Sequence, residues 1–175
     1  AYLVLDASGA DKAIKFDARP NSSMLADEYD RMEWLRHPNI PRLYSFLNFG
    51  EGHVAAYEME FCRSGDLFQA IEAAAQRRST ISNMELAPLF KGVLCALSHL
   101  HSFHVVHRDV KPGNVLFDHG MKPLLADFGL ATGPSTIRLD YEEVAGTEGF
   151  IAPEMLAHKP YGTPADVWSF NRVVH

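Results

Sequence analysis

Two short polar stretches constrain this chain more than anything else in it. His107-Arg108-Asp109-Val110-Lys111-Pro112-Gly113-Asn114 places a carboxylate, an ammonium and a carboxamide on one loop, and Asp127-Phe128-Gly129 puts a second carboxylate on the next turn. One acid to orient a hydroxyl, one acid and an amide for a divalent cation, and a lysine for developing charge form a set suited to moving a phosphoryl group. Either triplet alone would be an ordinary polar loop or turn. Here both occur in order, with Lys111 and Asn114 in the first loop and Ala152-Pro153-Glu154 further on.

The 175 residues are 47% hydrophobic and 22% charged, enough for a folded domain with a sizeable core. A net charge of −6 argues against nucleic acid or a membrane surface as partner. Cys62 and Cys95 make no disulfide framework, and no stretch reads as a secretory signal or a transmembrane run. These features predict a reducing intracellular, cytoplasmic setting. His99, His101, His104 and His107 are dense enough to raise zinc, but His99 and His101 fall on different helix faces and no cysteine lies beside them. Packed or solvated histidines are the expectation.

Taken in order, Tyr2–Leu5 and Lys12–Phe16 read as strands around a turn at Ser8-Gly9. A helix is predicted from about Ser22 to Arg36, with Ser22 or Ser23 as N-cap and Leu25, Met32 and Leu35 on its apolar side. Leu43–Phe49 and Val54–Phe61 give two more strands around Gly50-Glu51-Gly52. Asp66 can cap a helix over Leu67–Ala75. Ser82 and Glu85 form a capping box before a helix whose Leu86, Leu89, Phe90, Val93, Leu94, Leu97 and Leu100 predict a buried core element, with Cys95 as a small core residue. Val115–Phe117 and Leu124-Leu125 form a hairpin below the His107–Asn114 loop. Thr163-Pro164-Ala165-Asp166 opens a last helix, with Thr at the N-cap, Pro at N1 and an acid in the first turn.

The two polar motifs, their order and the Ala-Pro-Glu resemble the eukaryotic protein kinase family. The resemblance implies an α+β, bilobal protein kinase-like fold, with a small antiparallel β N-lobe over residues 1–61 and a mainly helical C-lobe over 62–175, incomplete at both ends. Alignment of Ala13-Ile14-Lys15 with the family's Ala-x-Lys strand puts the Gly-rich loop before residue 1. The remaining C-lobe helices would follow His175. Trp168, Phe170 and the Leu86–Leu100 helix are then expected to need those helices for burial.

By the same resemblance, ATP and Mg²⁺ are the cofactors. Asp109 orients the substrate hydroxyl and accepts its proton, and Lys111 stabilises the γ-phosphoryl oxygens. Lys15 binds the α- and β-phosphates and pairs with Glu28 rather than Glu33. Asn114 and Asp127 hold Mg²⁺ through oxygen. Met59-Glu60-Phe61-Cys62 is similar to the gatekeeper and hinge: backbone groups of Glu60 and Cys62 recognise adenine, and Leu116 lines the nucleotide site. Asp66 bonds ribose or merely caps its helix. His107 and Phe128 serve as supports rather than reactants.

Lys111 two residues after Asp109, with Gly146-Thr147 before Ala-Pro-Glu, resembles serine/threonine kinases, so the partner is a protein bearing Ser or Thr. Thr147 is expected to bridge Asp109 and Lys111. Arg108 is the residue that usually grips a phosphorylated activation segment. Glu142 and Glu143 stand where that phosphoresidue commonly falls, and Glu143, or failing that Glu142, is expected to dock on Arg108. A solvated acidic run, with Ser135, Thr136 or Tyr141 as the phosphosite, is the other reading. The alternative to an active kinase is a pseudokinase or scaffold that binds partners without catalysis.

Overall fold

The computed structural model describes residues 2–5, 11–17, 24–48, 55–132 and 144–174. Strands β1 (Tyr2–Leu5), β2 (Asp11–Asp17), β3 (Leu43–Asn48) and β4 (Ala55–Glu60) make one antiparallel sheet in the order β1-β2-β4-β3. In this register Lys15 stands opposite Tyr57 and Ala13 opposite Met59. Directly opposed residues share a face of the sheet. Lys15 and Tyr57 therefore project together toward helix α1 (Met24–Glu33).

That helix buries Leu25, Glu28 and Met32, a stripe at helical spacing with a carboxylate in its middle. A buried carboxylate demands partners, and the fold supplies them from Lys15, Tyr57 and Phe128. α1 stops at Glu33, earlier than the predicted Arg36. Pro38 disfavours helical backbone at His37, and the Leu35 amide instead turns back onto the Met32 carbonyl at 3.0 Å. The expected caps Ser22 and Ser23, and the turns at Ser8-Gly9 and Gly50-Gly52, lie outside the described residues.

The rest is mainly helical: α2 (Leu67–Gln76), α3 (Asn83–Ser102), the short α4 (Pro153–Leu156) and α5 (Pro164–Val174), with a hairpin of β5 (Val115–Phe117) and β6 (Pro123–Leu125). One apolar core joins both parts, from Met32 and Leu35 through Val93, Leu97 and Leu100 to Phe128 and Phe170. α3 begins with the expected box: the Ser82 amide donates to Glu85 Oε2 at 2.9 Å and the Glu85 amide to Ser82 Oγ at 3.4 Å. Gly92 in this helix is dictated by contact. A Cβ there would meet Pro123 at 2.5 Å and Asn39 at 2.8 Å, where helix, hairpin and the loop after α1 meet.

Two expectations for this region fail. Leu94 is 45% exposed and Cys95 is exposed too, because the buried stripe of α3 runs through Val93, Ala96, Leu97 and Leu100 and leaves 94 and 95 on the far side. Phe170 needs no further helix: it is buried within this chain, edge-on to Phe90 at 5.6 Å. Trp168 and Val167, on the other face of α5, are exposed.

Cys95 therefore contrasts with Cys62. Burial, then the charges of Glu60 and Asp118, push the Cys62 thiol up to about 12. Since the thiolate is the reactive form, iodoacetamide at neutral pH is expected to label Cys95 first, with Cys62 slower by roughly tenfold or more. Peptide mass spectrometry over a time course checks this, and equal rates would contradict it.

The loop after α1 is fastened to the helical part. The Asn39 amide side chain donates to the Pro123 carbonyl at 2.8 Å, and the Leu125 amide to the Asn39 carbonyl at 2.8 Å. His37 stacks on His99 at 5.0 Å and accepts the Asn39 backbone N–H at Nδ1. Burial, then the neighbouring His99 and Lys122, hold the His37 pKa below its ordinary value. The unfolded chain thus binds a proton here before the folded one does. Stability from this group is complete above about pH 6.5 and is lost as pH falls below it. A melting temperature that drops between pH 7.5 and 5.5, with part of the drop absent in His37→Asn, is the expected result.

Candidate active site

The loop from His107 to Asn114 hangs from α5. The fully buried Asp166 accepts the His107 amide at Oδ2 and the Arg108 amide at Oδ1, both at 2.9 Å, and its Oδ2 lies 2.8 Å from His101 Nε2. Arg108 has φ +68 and Asp127 φ +65. Left-handed backbone at a non-glycine residue costs roughly 1–2 kcal/mol, so each must be held there. At Arg108 the hold is Asp166. His107 accepts the Asp109 amide at Nδ1 and donates from Nε2 to the Ala126 carbonyl at 3.1 Å, while its ring lies edge-on to Phe128. It is a support, joining the loop to the turn that carries Asp127.

Asp109 receives three donors. Thr147 Oγ1 donates to Oδ1 at 2.7 Å, Lys111 Nζ stands 2.8 Å from Oδ2, and Asn114 Nδ2 donates to Oδ2 at 2.9 Å. Lys111 Nζ also donates to Thr147 Oγ1 at 2.7 Å, closing a triangle. Gly146 permits this approach. With φ +119, a Cβ there would fall 2.6 Å from the Arg108 carbonyl oxygen. Ser169 on α5 steadies the following turn by donating to the Phe150 carbonyl at 2.7 Å.

A second cluster forms at the sheet. Lys15 Nζ lies 2.8 Å from both Glu28 oxygens and 2.9 Å from Asp127 Oδ1. Glu28 Oε1 also accepts the Tyr57 hydroxyl at 3.0 Å and the Phe128 amide at 3.2 Å. Glu33 is exposed and makes no such pair. Burial works against the Lys15 charge, yet Glu28 and Asp127 together raise its pKa. Burial likewise opposes the Asp127 charge, and Lys15 above all lowers its pKa. Burial and the adjacent Glu28 push the Tyr57 phenol far up, so it stays a donor at any physiological pH.

Lys15, Met59, Asn114, Leu116 and Asp127 line one cavity of about 220 Å³ between sheet and hairpin. Glu60, Cys62 and Asp66 stand outside that lining. The Glu60 amide donates to the Arg42 carbonyl at 2.8 Å. Asp66 is engaged as the cap of α2: its Oδ1 accepts the Gln69 amide at 2.8 Å, and Gln69 returns a bond to the Asp66 amide. Arg108 reaches the Leu130 carbonyl and, at 3.1 Å, the Tyr161 hydroxyl. Glu142 and Glu143 lie outside the described residues.

Among the described residues no three His, Cys, Asp or Glu side chains converge as a metal site. Asn114 and Asp127 nevertheless suit Mg²⁺. Mg²⁺ takes one or two protein oxygens and completes its shell with water and phosphate. With Nδ2 of Asn114 committed to Asp109, its Oδ1 remains as the hard oxygen donor.

A family model for the protein kinase domain matches residues 6–175. The chain belongs to the protein kinase family. This kinase domain is 38% identical to the L-type lectin-domain containing receptor kinase V.7 of Arabidopsis thaliana, over 97% of the chain and 26% of that protein. It is 31% identical to the serine/threonine-protein kinase PLK4 of Drosophila grimshawi, over 85% of the chain and 19% of the relative. To calcium/calmodulin-dependent protein kinase type 1 of Caenorhabditis briggsae it is 35% identical, over 86% and 41%. The chain thus spans well under half the length of these relatives. No helix among the described residues is long and apolar enough to cross a membrane.

Three supports of the kinase site escaped the sequence reading: Tyr57, Asp166 as anchor of the loop, and Ser169. The available signal was weak. Asp166 and Ser169 recur at i, i+3 on α5 next to Phe170, so polar groups share the helix face that enters the core.

Proposed function

We propose that this chain is the catalytic core of an ATP-dependent protein kinase that phosphorylates serine and threonine hydroxyls. The observation carrying this reading is the Asp109–Thr147–Lys111 triangle, which fixes a carboxylate and an ammonium around one small hydroxyl. Asp109 orients the incoming hydroxyl and accepts its proton, and Lys111 balances charge on the transferred group. Thr147 holds the two in register and shapes the site for an aliphatic acceptor. Lys15, locked by Glu28, positions the phosphates. Asn114 and Asp127 would hold Mg²⁺, which supplies charge neutralisation across the phosphates when bound. Adenine would meet the Glu60 carbonyl and the backbone of Cys62, with Leu116 beneath it.

In this reading residues 1–61 form the N-lobe and 62–175 belong to the C-lobe. The free thiols of Cys62 and Cys95 accord with a reducing intracellular compartment. The test is transfer of radiolabelled γ-phosphate from ATP by the full-length protein to casein, followed by phosphoamino-acid analysis. Label on serine or threonine supports the proposal. Phosphotyrosine would overturn the acceptor class, and ATP binding without transfer would favour a scaffold.

A further inference from the structure

Behind the wall of the nucleotide cleft lies a second cavity, of about 450 Å³. Met32 and Pro41 line both cavities, one face of each toward either side. Glu60, the residue after Met59 at the end of β4, lines the second one as well. Its floor is apolar, from Met32, Leu35, Ile40, Pro41 and Leu43. Aromatic edges come from Tyr29 and Tyr44.

The rim is cationic. Arg36, Arg42 and Lys122 are exposed side chains on this cavity, and none has a carboxylate partner among the described residues. The Arg42 guanidinium lies over the Tyr44 ring at 5.7 Å, a placement that keeps a cation beside an aromatic surface. Two carboxylates also border the cavity. Glu60 is turned to the Arg42 amide at 3.1 Å, and Glu33 lies at the exposed end of α1. In a chain of net charge −6, three cations at one apolar hollow with no carboxylate partner among the described residues require an explanation other than average surface composition.

We propose that this cavity is an effector site for a small organic anion with a planar apolar body, an aryl carboxylate being the simplest case. The hydrophobic floor takes the ring system, and Arg36, Arg42 and Lys122 take the carboxylate. The two carboxylates on the border exclude a highly charged ligand. Occupancy presses on Met32, one turn beyond Glu28 on the same buried stripe of α1. The site is therefore coupled to the Lys15–Glu28 pair. This coupling rests on the nucleotide reading above, whereas the binding itself does not.

The probe is 2-naphthoate, with neutral 2-naphthamide as its control, titrated into the full-length protein with methionine methyls labelled for NMR. Saturable binding that shifts the Met32 methyl is expected. Naphthamide, and naphthoate with Arg36→Gln/Lys122→Gln, should each bind roughly tenfold more weakly. Both substituted residues are exposed, and an unchanged melting temperature shows that the variant is folded. Displacement of naphthoate by Mg·ATP in direct competition, equal affinity for the amide, or an unaffected double variant would each overturn the site. Saturating naphthoate should also change the Kd for Mg·ATP by a few-fold, with the reciprocal change in naphthoate affinity. Binding at Met32 with no such change would overturn the coupling. Failure to bind Mg·ATP at all would count against the proposed function and leave the naphthoate result standing.

Discussion

An Asp109→Asn protein is expected to lose roughly a thousandfold in kcat while keeping its affinity for nucleotide. The carboxylate faces three donors, from Thr147, Lys111 and Asn114. An amide offers one acceptor oxygen and turns an NH₂ toward at least one of those donors. It can neither take a proton nor keep the triangle closed. Lys15 and Asp127, which would hold the phosphates and the metal, are untouched by the change.

The same geometry predicts how Asp109 combines with Thr147. Thr147→Ala removes the hydroxyl that joins Asp109 to Lys111, so it should lower kcat on its own, by less than the Asp109 change. Groups that act as one unit are not additive. The double variant should therefore be little worse than Asp109→Asn alone, and Thr147→Ser should recover most of the loss. Single-turnover transfer with saturating ATP is the measurement. Equal incorporation by the parent and Asp109→Asn would remove Asp109 from the catalytic role.

What sequence could tell about this site divides along a physical line. Groups that must touch phosphate or metal carry side-chain chemistry of their own, and they cluster in short motifs. Lys111, Asn114 and Asp127, which would do so in the proposed function, stand out in the sequence for that reason, and the Thr147 bridge followed from its place before Ala-Pro-Glu. Lys15 and Glu28 were harder. The sheet register and the stripe of α1 bring them together, and either residue alone reads as an ordinary solvated charge.

Tyr57 and Ser169 carry no such signature. Each donates one hydrogen bond to a group that is distant in sequence, and only the packed fold makes that partner visible. Asp66 left two roles open in the sequence, and the structure shows the cap. The error at Cys95 has a simple source. Apolar residues crowd α3 on more than one face, so periodicity could not say which would meet the core. The same ambiguity hid the division of α5 between buried Phe170 and exposed Trp168.

The largest stability effect should come from Asp166→Ala, a residue outside the proposed catalytic set. Its carboxylate is fully buried and accepts two backbone amides of the catalytic loop. Alanine leaves both N–H groups without acceptors, at a cost of about 1–3 kcal/mol for the buried His107 amide and less for the part-buried Arg108 amide. It also leaves Arg108 in left-handed backbone with its tether gone, and it frees His101 from a 2.8 Å contact. Together these give an expected loss of about 3–5 kcal/mol, the range for breaking a buried charged network. Asp166→Asn keeps one acceptor oxygen and should cost markedly less. Because Asp109 follows directly on the released peptide, residual activity of the folded Asp166→Asn protein should show a lowered kcat with little change in the KM for ATP. Urea denaturation of the full-length protein, followed by a probe in this domain, measures the first effect. An alanine variant within about 1 kcal/mol of the parent would mean that the loop is held by something other than α5, since a lost buried acceptor alone accounts for that much.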